Sequence, residues 1–159
     1  MRAALACLLL LPAAHAGDWT VGELTDKMTG ASTGKSAYVE SIGTLNLQFP
    51  YAGEQRVVLY FRHQGGRING ASLVVRRGQF SCLSTQRCTF RVRFDDGPVE
   101  DWPMSFLPSA SSSVGFQRVP QLAERVRAAK TLRVEARFFR DGSQVLDFDV
   151  SGFDQALPP

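Results

Sequence analysis

Hydrophobicity with a period of two runs along most of this chain and restricts its fold more than any other feature. Leu45, Leu47 and Phe49 alternate with Thr44, Asn46 and Gln48, and Phe90, Val92 and Phe94 with Arg91 and Arg93. Leu132, Val134, Ala136 and Phe138 alternate with Arg133, Glu135 and Arg137, and Leu146, Phe148 and Val150 with Asp147 and Asp149. Successive side chains of a strand point to opposite faces, so each run buries one face and wets the other, as antiparallel sheets do. Residues 57–61 are apolar without a break, which predicts a central strand covered on both faces, and 73–75 form a shorter run of the same kind.

The breaks between the runs are informative too. Arg140-Asp141-Gly142-Ser143 predicts a hairpin, because Asp-Gly tolerates the positive φ that a tight reversal demands. Asp95-Asp96-Gly97-Pro98 predicts a second turn, leading into a strand over 99–106. Gly65-Gly66-Arg67-Ile68-Asn69-Gly70 predicts a flexible connection, and 109–113 a polar loop. One helix interrupts the strands. Pro120 suits a first helical position, and Leu122, Val126 and Ala129 fall on one face. Arg125, Arg127 and Lys130 take the wetter side near the C-terminal end, where the helix dipole favours cations. With no internal repeat and no linker, this is a single all-β domain of about eight strands, with one helix before the last two capping an end or edge of the sheet. An antiparallel β-sandwich is the expected architecture, and a small β-barrel the alternative.

The N-terminal end differs in character. Arg2 supplies a positive start, residues 3–11 an apolar run and Pro12 a helix break, and Ala14-His15-Ala16 puts small residues where a signal peptidase reads them. This predicts a signal peptide over 1–16, cut before Gly17, and a periplasmic or secreted domain over 17–159. The apolar run is about ten residues, short of the ~20 that a membrane-spanning helix needs, and no later segment is long enough to span. Cys7 follows Leu5-Ala6 in the manner of a lipoprotein site, but the six residues ahead of it are too few for the apolar region that acylation requires.

Loss of the leader leaves Cys82 and Cys88, an even pair in an oxidising compartment, and a disulfide is expected. A redox-active pair would show C-x-x-C spacing followed by a helix, and neither is present. Zinc needs three or four ligands, whereas His63 is the lone histidine after the leader. The formal charge is only +3, and the arginines are scattered through strands and turns rather than gathered in a stripe, which argues against nucleic acid.

No constellation for covalent chemistry stands out. No G-x-S-x-G elbow accompanies His63, which is expected at a rim beside the glycine-rich connection. Asp95, Asp96, Glu100 and Asp101 gather around a turn without the order of a calcium loop, and turn formation accounts for them. Asp147 and Asp149 share a strand face, whereas a glycosidase needs two carboxylates flanking a cleft. The chain is therefore read as non-enzymatic, with no cofactor and no metal. The arginines favour binding. Arg91 and Arg93 share one strand face, and Arg133 and Arg137 another. Should those strands be neighbours, a cationic patch forms that suits an anionic glycan, a phospholipid headgroup or an acidic partner. The competing reading is a solvated face with Glu135, Asp147 and Asp149 as counter-charges. Trp19, Trp102 and Tyr51 suit either a glycan site or the core, and Phe139 and Phe153 are candidate exposed contacts of a larger assembly.

Several segments carry a resemblance. They are Asp18-Trp19, Asp26-Lys27-Met28-Thr29-Gly30, Phe49-Pro50-Tyr51 and Gly78-Gln79-Phe80 ahead of the cysteines. Arg93-Phe94-Asp95-Asp96-Gly97 and Phe148-Asp149-Val150-Ser151-Gly152-Phe153 complete the set. Together they resemble a family of uncharacterised small exported bacterial β-sandwich proteins. The resemblance runs through nearly the whole mature chain and implies a periplasmic all-β domain; it brings no activity and no catalytic residue. The N-terminal tryptophan and β-rich pattern are similar, more faintly, to accessory proteins of type VI secretion. The expected function is a non-catalytic binding or accessory module of the cell envelope, with an envelope protein or an anionic glycan as partner. A periplasmic enzyme inhibitor or a secretion-system accessory subunit is the alternative, and a hydrolase stands behind both.

Overall fold

The alternating runs become strands, three of them in one large antiparallel sheet and the 44–49 run in a small second one. The computed structural model describes residues 17–82, 88–106 and 111–159; the leader with its Cys7, and the first part of the loop over 109–113, lie outside the described residues. In chain order come β1 (Thr20–Thr25), β2 (Ser32–Glu40), β3 (Leu45–Leu47), β4 (Gly53–Gln55), β5 (Val57–Gln64) and β6 (Arg67–Val75). Then follow β7 (Cys88–Phe94), β8 (Val99–Phe106), β9 (Ser113–Phe116), the helix α1 (Val119–Ala128), β10 (Thr131–Phe138), β11 (Gly142–Asp149) and a short α2 (Phe153–Ala156).

Nine strands form one sheet in the order β1-β2-β5-β6-β9-β8-β7-β10-β11, and β3 pairs with β4 in a small second sheet. The large sheet folds over on itself. Just past β2, the Ile42 N–H donates to the Asp147 carbonyl of β11 at 2.7 Å. That is a single bridge and not a ladder, so the two ends meet without closing a barrel. The folded-over sheet encloses one core, built from Leu59, Phe61, Leu73, Trp102, Leu132, Phe138, Leu146 and Phe148 among others, all buried. Burying a side chain of that size contributes roughly 1.5–3 kcal/mol. Helix α1 packs against β6 and sends Leu122, Ala123 and Val126 into the same core.

Several expectations need correction. Residues 57–61 do form a central strand, between β2 and β5's other neighbour β6, but Val58 and Tyr60 are only half-buried. Their face of β5 lies outside the fold; Val74 in β6 is half-buried for the same reason. Gly65-Gly66 is no flexible connection. With φ of 64° and 76°, the two glycines make a tight reversal in which Gln64 pairs with Arg67. Ile68 is buried, which draws 67–70 into β6, and the register shifts between Arg62 and His63 to accommodate the extra residue. Phe49 falls outside β3 and is 78% exposed. Phe153, a candidate exposed contact, is buried beneath Trp19, with ring centroids 5.0 Å apart. A second helix, α2, forms around it, whereas the sequence predicts only the one before the last two strands.

The hairpins over 95–98 and 140–143 appear where the sequence places them. In the first, Asp95 has φ 47° and the Gly97 N–H donates to the Phe94 carbonyl. In the second, the positive φ falls on Arg140 (67°) and Gly142 (68°) rather than on Asp141. Cys82 and Cys88 form the expected disulfide, with their Cα atoms 5.0 Å apart.

Candidate functional site

The two strands that carry the arginine pairs are neighbours. β10 lies between β7 and β11, and β7 between β8 and β10. Phe90, Val92 and Phe94 point inward with Leu132, Val134 and Ala136, so the arginines project from the outer face. Arg93 stands directly opposite Arg133, and Arg91 opposite Glu135. Like charges at directly opposed positions repel. Local acceptors answer them: Arg133 Nε lies 2.6 Å from Asp147 Oδ1 on β11, and Arg93 Nε donates to the Gly97 carbonyl at 3.0 Å. Arg91 pairs with Glu135 at 2.7 Å. Exposed pairs of this kind contribute about 0–1 kcal/mol each, so they orient the guanidinium groups more than they hold the sheet together.

Between them runs a shallow groove of about 190 Å³, lined by Arg91, Arg93, Arg133 and Glu135 with Val99 and Val145. Val99 is 52% exposed and Val145 55%. Arg137 shares the outer face of β10 but lies further along, opposite Ser143, and makes no ion pair among the described residues. Three of the four predicted arginines therefore converge on the groove, and the fourth extends the face. Val99 and Val145 escape sequence reading, because only the cross-strand register brings them beside Arg93 and Glu135.

The acidic residues disperse. Asp95 turns to the start of β10, where its Oδ1 accepts from the backbone N–H groups of Lys130 and Thr131 at 2.9 and 2.8 Å. Chiefly through the Thr131 N–H, this holds the Asp95 carboxyl below the usual carboxylate range. Glu100 takes a two-pronged hydrogen bond from Arg125 (2.6 and 3.3 Å), and that guanidinium lowers its pKa as well. Arg125 also lies 4.4 Å from the centre of the Phe94 ring, tying α1 to β7 and β8. Asp101 sits opposite Arg91, and the exposed Asp96 stays beside Arg93 of the groove, with its Oδ1 3.4 Å from Arg93 Nη2. Among the described residues no three His, Cys, Asp or Glu side chains gather as a metal site would require.

The remaining candidates take other places. His63 is half-buried on β5 and borders a cleft of about 290 Å³ with Ile68, Pro120, Glu124 and Arg127. Trp102 is buried in the core, which removes it from any glycan site; Trp19 and Tyr51 are partly buried against that core. Phe139, at the β10–β11 turn, is exposed.

Compared with solved structures, the chain is similar to the crystal structure of invasion associated protein B from Bartonella henselae, with a TM-score of 0.53. The match covers 91% of this chain and 92% of that one at 14% sequence identity. At that identity the likeness is one of fold alone. No protein-family model matches the chain, and no curated protein does.

Proposed function

We propose that this chain is a non-catalytic binding or accessory module of the bacterial cell envelope, exported to the periplasm or beyond. The outer face of β7 and β10 is its recognition surface, and an envelope protein with an acidic surface is its partner. The observation that carries this reading is the convergence of Arg91, Arg93 and Arg133 on one groove flanked by the exposed Val99 and Val145. Guanidinium forks supply directional donors for carboxylates, and the valines supply apolar area beside them. The leader pattern over 1–16 and the disulfide suit an oxidising compartment. The neighbour of similar fold is named as an invasion associated protein. Membership of the exported β-sandwich family, and service as an enzyme inhibitor or secretion-system subunit, belong to the same proposal.

Affinity capture on the tagged mature chain tests it, using envelope extract at ~0.1 M and ~1 M salt, where the screening length falls from about 10 Å to about 3 Å. One stoichiometric protein should be captured at low salt and lost at high salt, and Arg93→Glu combined with Arg133→Glu should abolish its capture. Capture that neither salt nor the double variant weakens would overturn the arginine face as the recognition surface. Retention of a polyanionic glycan in place of a protein would overturn the assignment of partner.

A further inference from the structure

Gly17, the first residue of the mature chain if the leader is cut where the sequence suggests, is held against the end of β11. Its nitrogen lies 2.8 Å from the Ser151 carbonyl oxygen and 2.9 Å from Ser151 Oγ. The Ser151 hydroxyl in turn donates to Asp149 Oδ1 at 2.5 Å, and the Ser151 backbone N–H donates to the same oxygen at 3.0 Å. A peptide nitrogen has one hydrogen to divide between two acceptors. A free α-ammonium has three, and it would bring a positive charge to a hydroxyl already polarised by a carboxylate.

Two further observations bear on the same spot. A Cβ at position 17 would collide with the Asp149 carbonyl oxygen and come within 3.1 Å of the Ser151 carbonyl oxygen, so the backbone fits only as glycine. Trp19 fastens the segment from the other side. Its Nε1 donates to the Ser151 carbonyl at 3.0 Å, and its ring packs on Phe153 and Phe61 with centroids 5.0 and 6.1 Å away.

We infer that Ser151 and Asp149 form a binding site for the chain's own α-ammonium, created when a signal peptidase hydrolyses the Ala16–Gly17 bond. The C–N bond breaks and the water oxygen joins the Ala16 carbonyl carbon as a carboxylate. Both water hydrogens end on the Gly17 nitrogen, giving –NH₃⁺. An α-amino group has an ordinary pKa of about 7.7–8.0, so the new terminus is mostly charged at neutral pH. Processing thus does more than release the chain: it completes an interaction that the precursor makes only in part. The inference rests on the export reading of 1–16.

Two measurements separate it from that reading. The intact mass of the chain recovered from the envelope should correspond to a Gly17 start; a different start or an unprocessed chain would overturn both. Thermal unfolding is then compared between the chain starting at Gly17 and one retaining Ala16, whose amine is displaced by one residue. The Gly17 chain should melt higher by on the order of 3 °C. Equal melting would overturn the site while leaving export standing. Asp149→Asn and, separately, Ser151→Ala should each remove most of that difference. A difference that persists in a folded variant of either kind would overturn that residue's part. Trp19 fluorescence gives a local readout, since the only other tryptophan, Trp102, is fully buried in the core. Its emission should shift to the red in the Ala16-retaining chain, and an unchanged spectrum would count against the site.

Discussion

At the residue scale, the Asp95 carboxylate takes three hydrogen bonds from the start of β10: the Lys130 N–H, the Thr131 N–H and the Thr131 hydroxyl. Its own backbone sits at φ 47°, a conformation that Asp and Asn tolerate better than most residues. Asp95→Asn therefore keeps the turn and an acceptor oxygen for these donors but removes the charge that strengthens them, and should cost about 1 kcal/mol. Because the folded pKa lies below its ordinary value, this stabilisation is present above the ordinary carboxylate pKa and is lost as pH falls through the folded one. Acid unfolding of Asp95→Asn should accordingly show a smaller stability loss below about pH 4 than the parent chain. An Asp95 resonance titrating at or above the ordinary Asp value would refute the assignment. Ser41 is a second residue with an outsized role, as it is buried and its hydroxyl accepts the Val57 N–H at 3.2 Å while donating to the Gly43 carbonyl at 3.3 Å. Ser41→Ala leaves the Val57 donor without its acceptor, and chemical denaturation should register a loss of about 1–3 kcal/mol.

At the scale of elements, the Cys82–Cys88 bridge ties the entry of β7 to the segment that leaves β6. Closing so short a loop removes roughly 2 kcal/mol of unfolded-state entropy in the chain model. The double substitution Cys82→Ser with Cys88→Ser should lower the melting temperature and leave capture of the acidic partner intact. An unchanged melting temperature would show that the bridge contributes nothing to the fold. The alternating strands, the two Asp-Gly hairpins and α1 were readable because each depends on local information, whereas β1, β2, β4 and α2 were not read. Phe90-Val92-Phe94 and Leu132 to Phe138 carry their alternation within the strand, and Asp-Gly and Pro120 mark ends by backbone chemistry alone. Neighbourhood was not readable. The Arg93–Arg133 opposition depends on β10 returning, after β8, β9 and α1, to pair with β7, a choice made by the whole core. Phe153 could not be told from Phe139 by composition: α2 turns Phe153 inward, and the hairpin leaves Phe139 outside. The glycine pair at 65–66 read as looseness, although two adjacent residues of positive φ are what a tight reversal uses.

At the scale of the molecule, burial is distributed unevenly around the folded sheet, and stability should follow it. β5 and β10 are each paired on both sides, with Val57, Leu59, Phe61, Leu132, Val134 and Ala136 buried along their inner faces. β1 is the opposite case. It forms an edge of the sheet, all of its residues except Leu24 are exposed, and the first residues of β2 beside it, Ser32 and Thr33, are exposed as well. An edge strand with so little beneath it is held by a single ladder, so β1 should open without unfolding the rest. Trp19 limits how far that opening spreads, since it anchors the chain just before β1 onto Phe61 and Phe153. Hydrogen exchange should show β1 amides that pair with β2 exchanging at least about tenfold faster than amides of β5 and β10. In the chain that retains Ala16, faster exchange should reach back to Trp19, because the anchor there is weaker. Protection of β1 equal to that of β5 would mean that something covers this edge in solution. The unsatisfied backbone groups of the edge would then be the place to look for the partner, ahead of the arginine face.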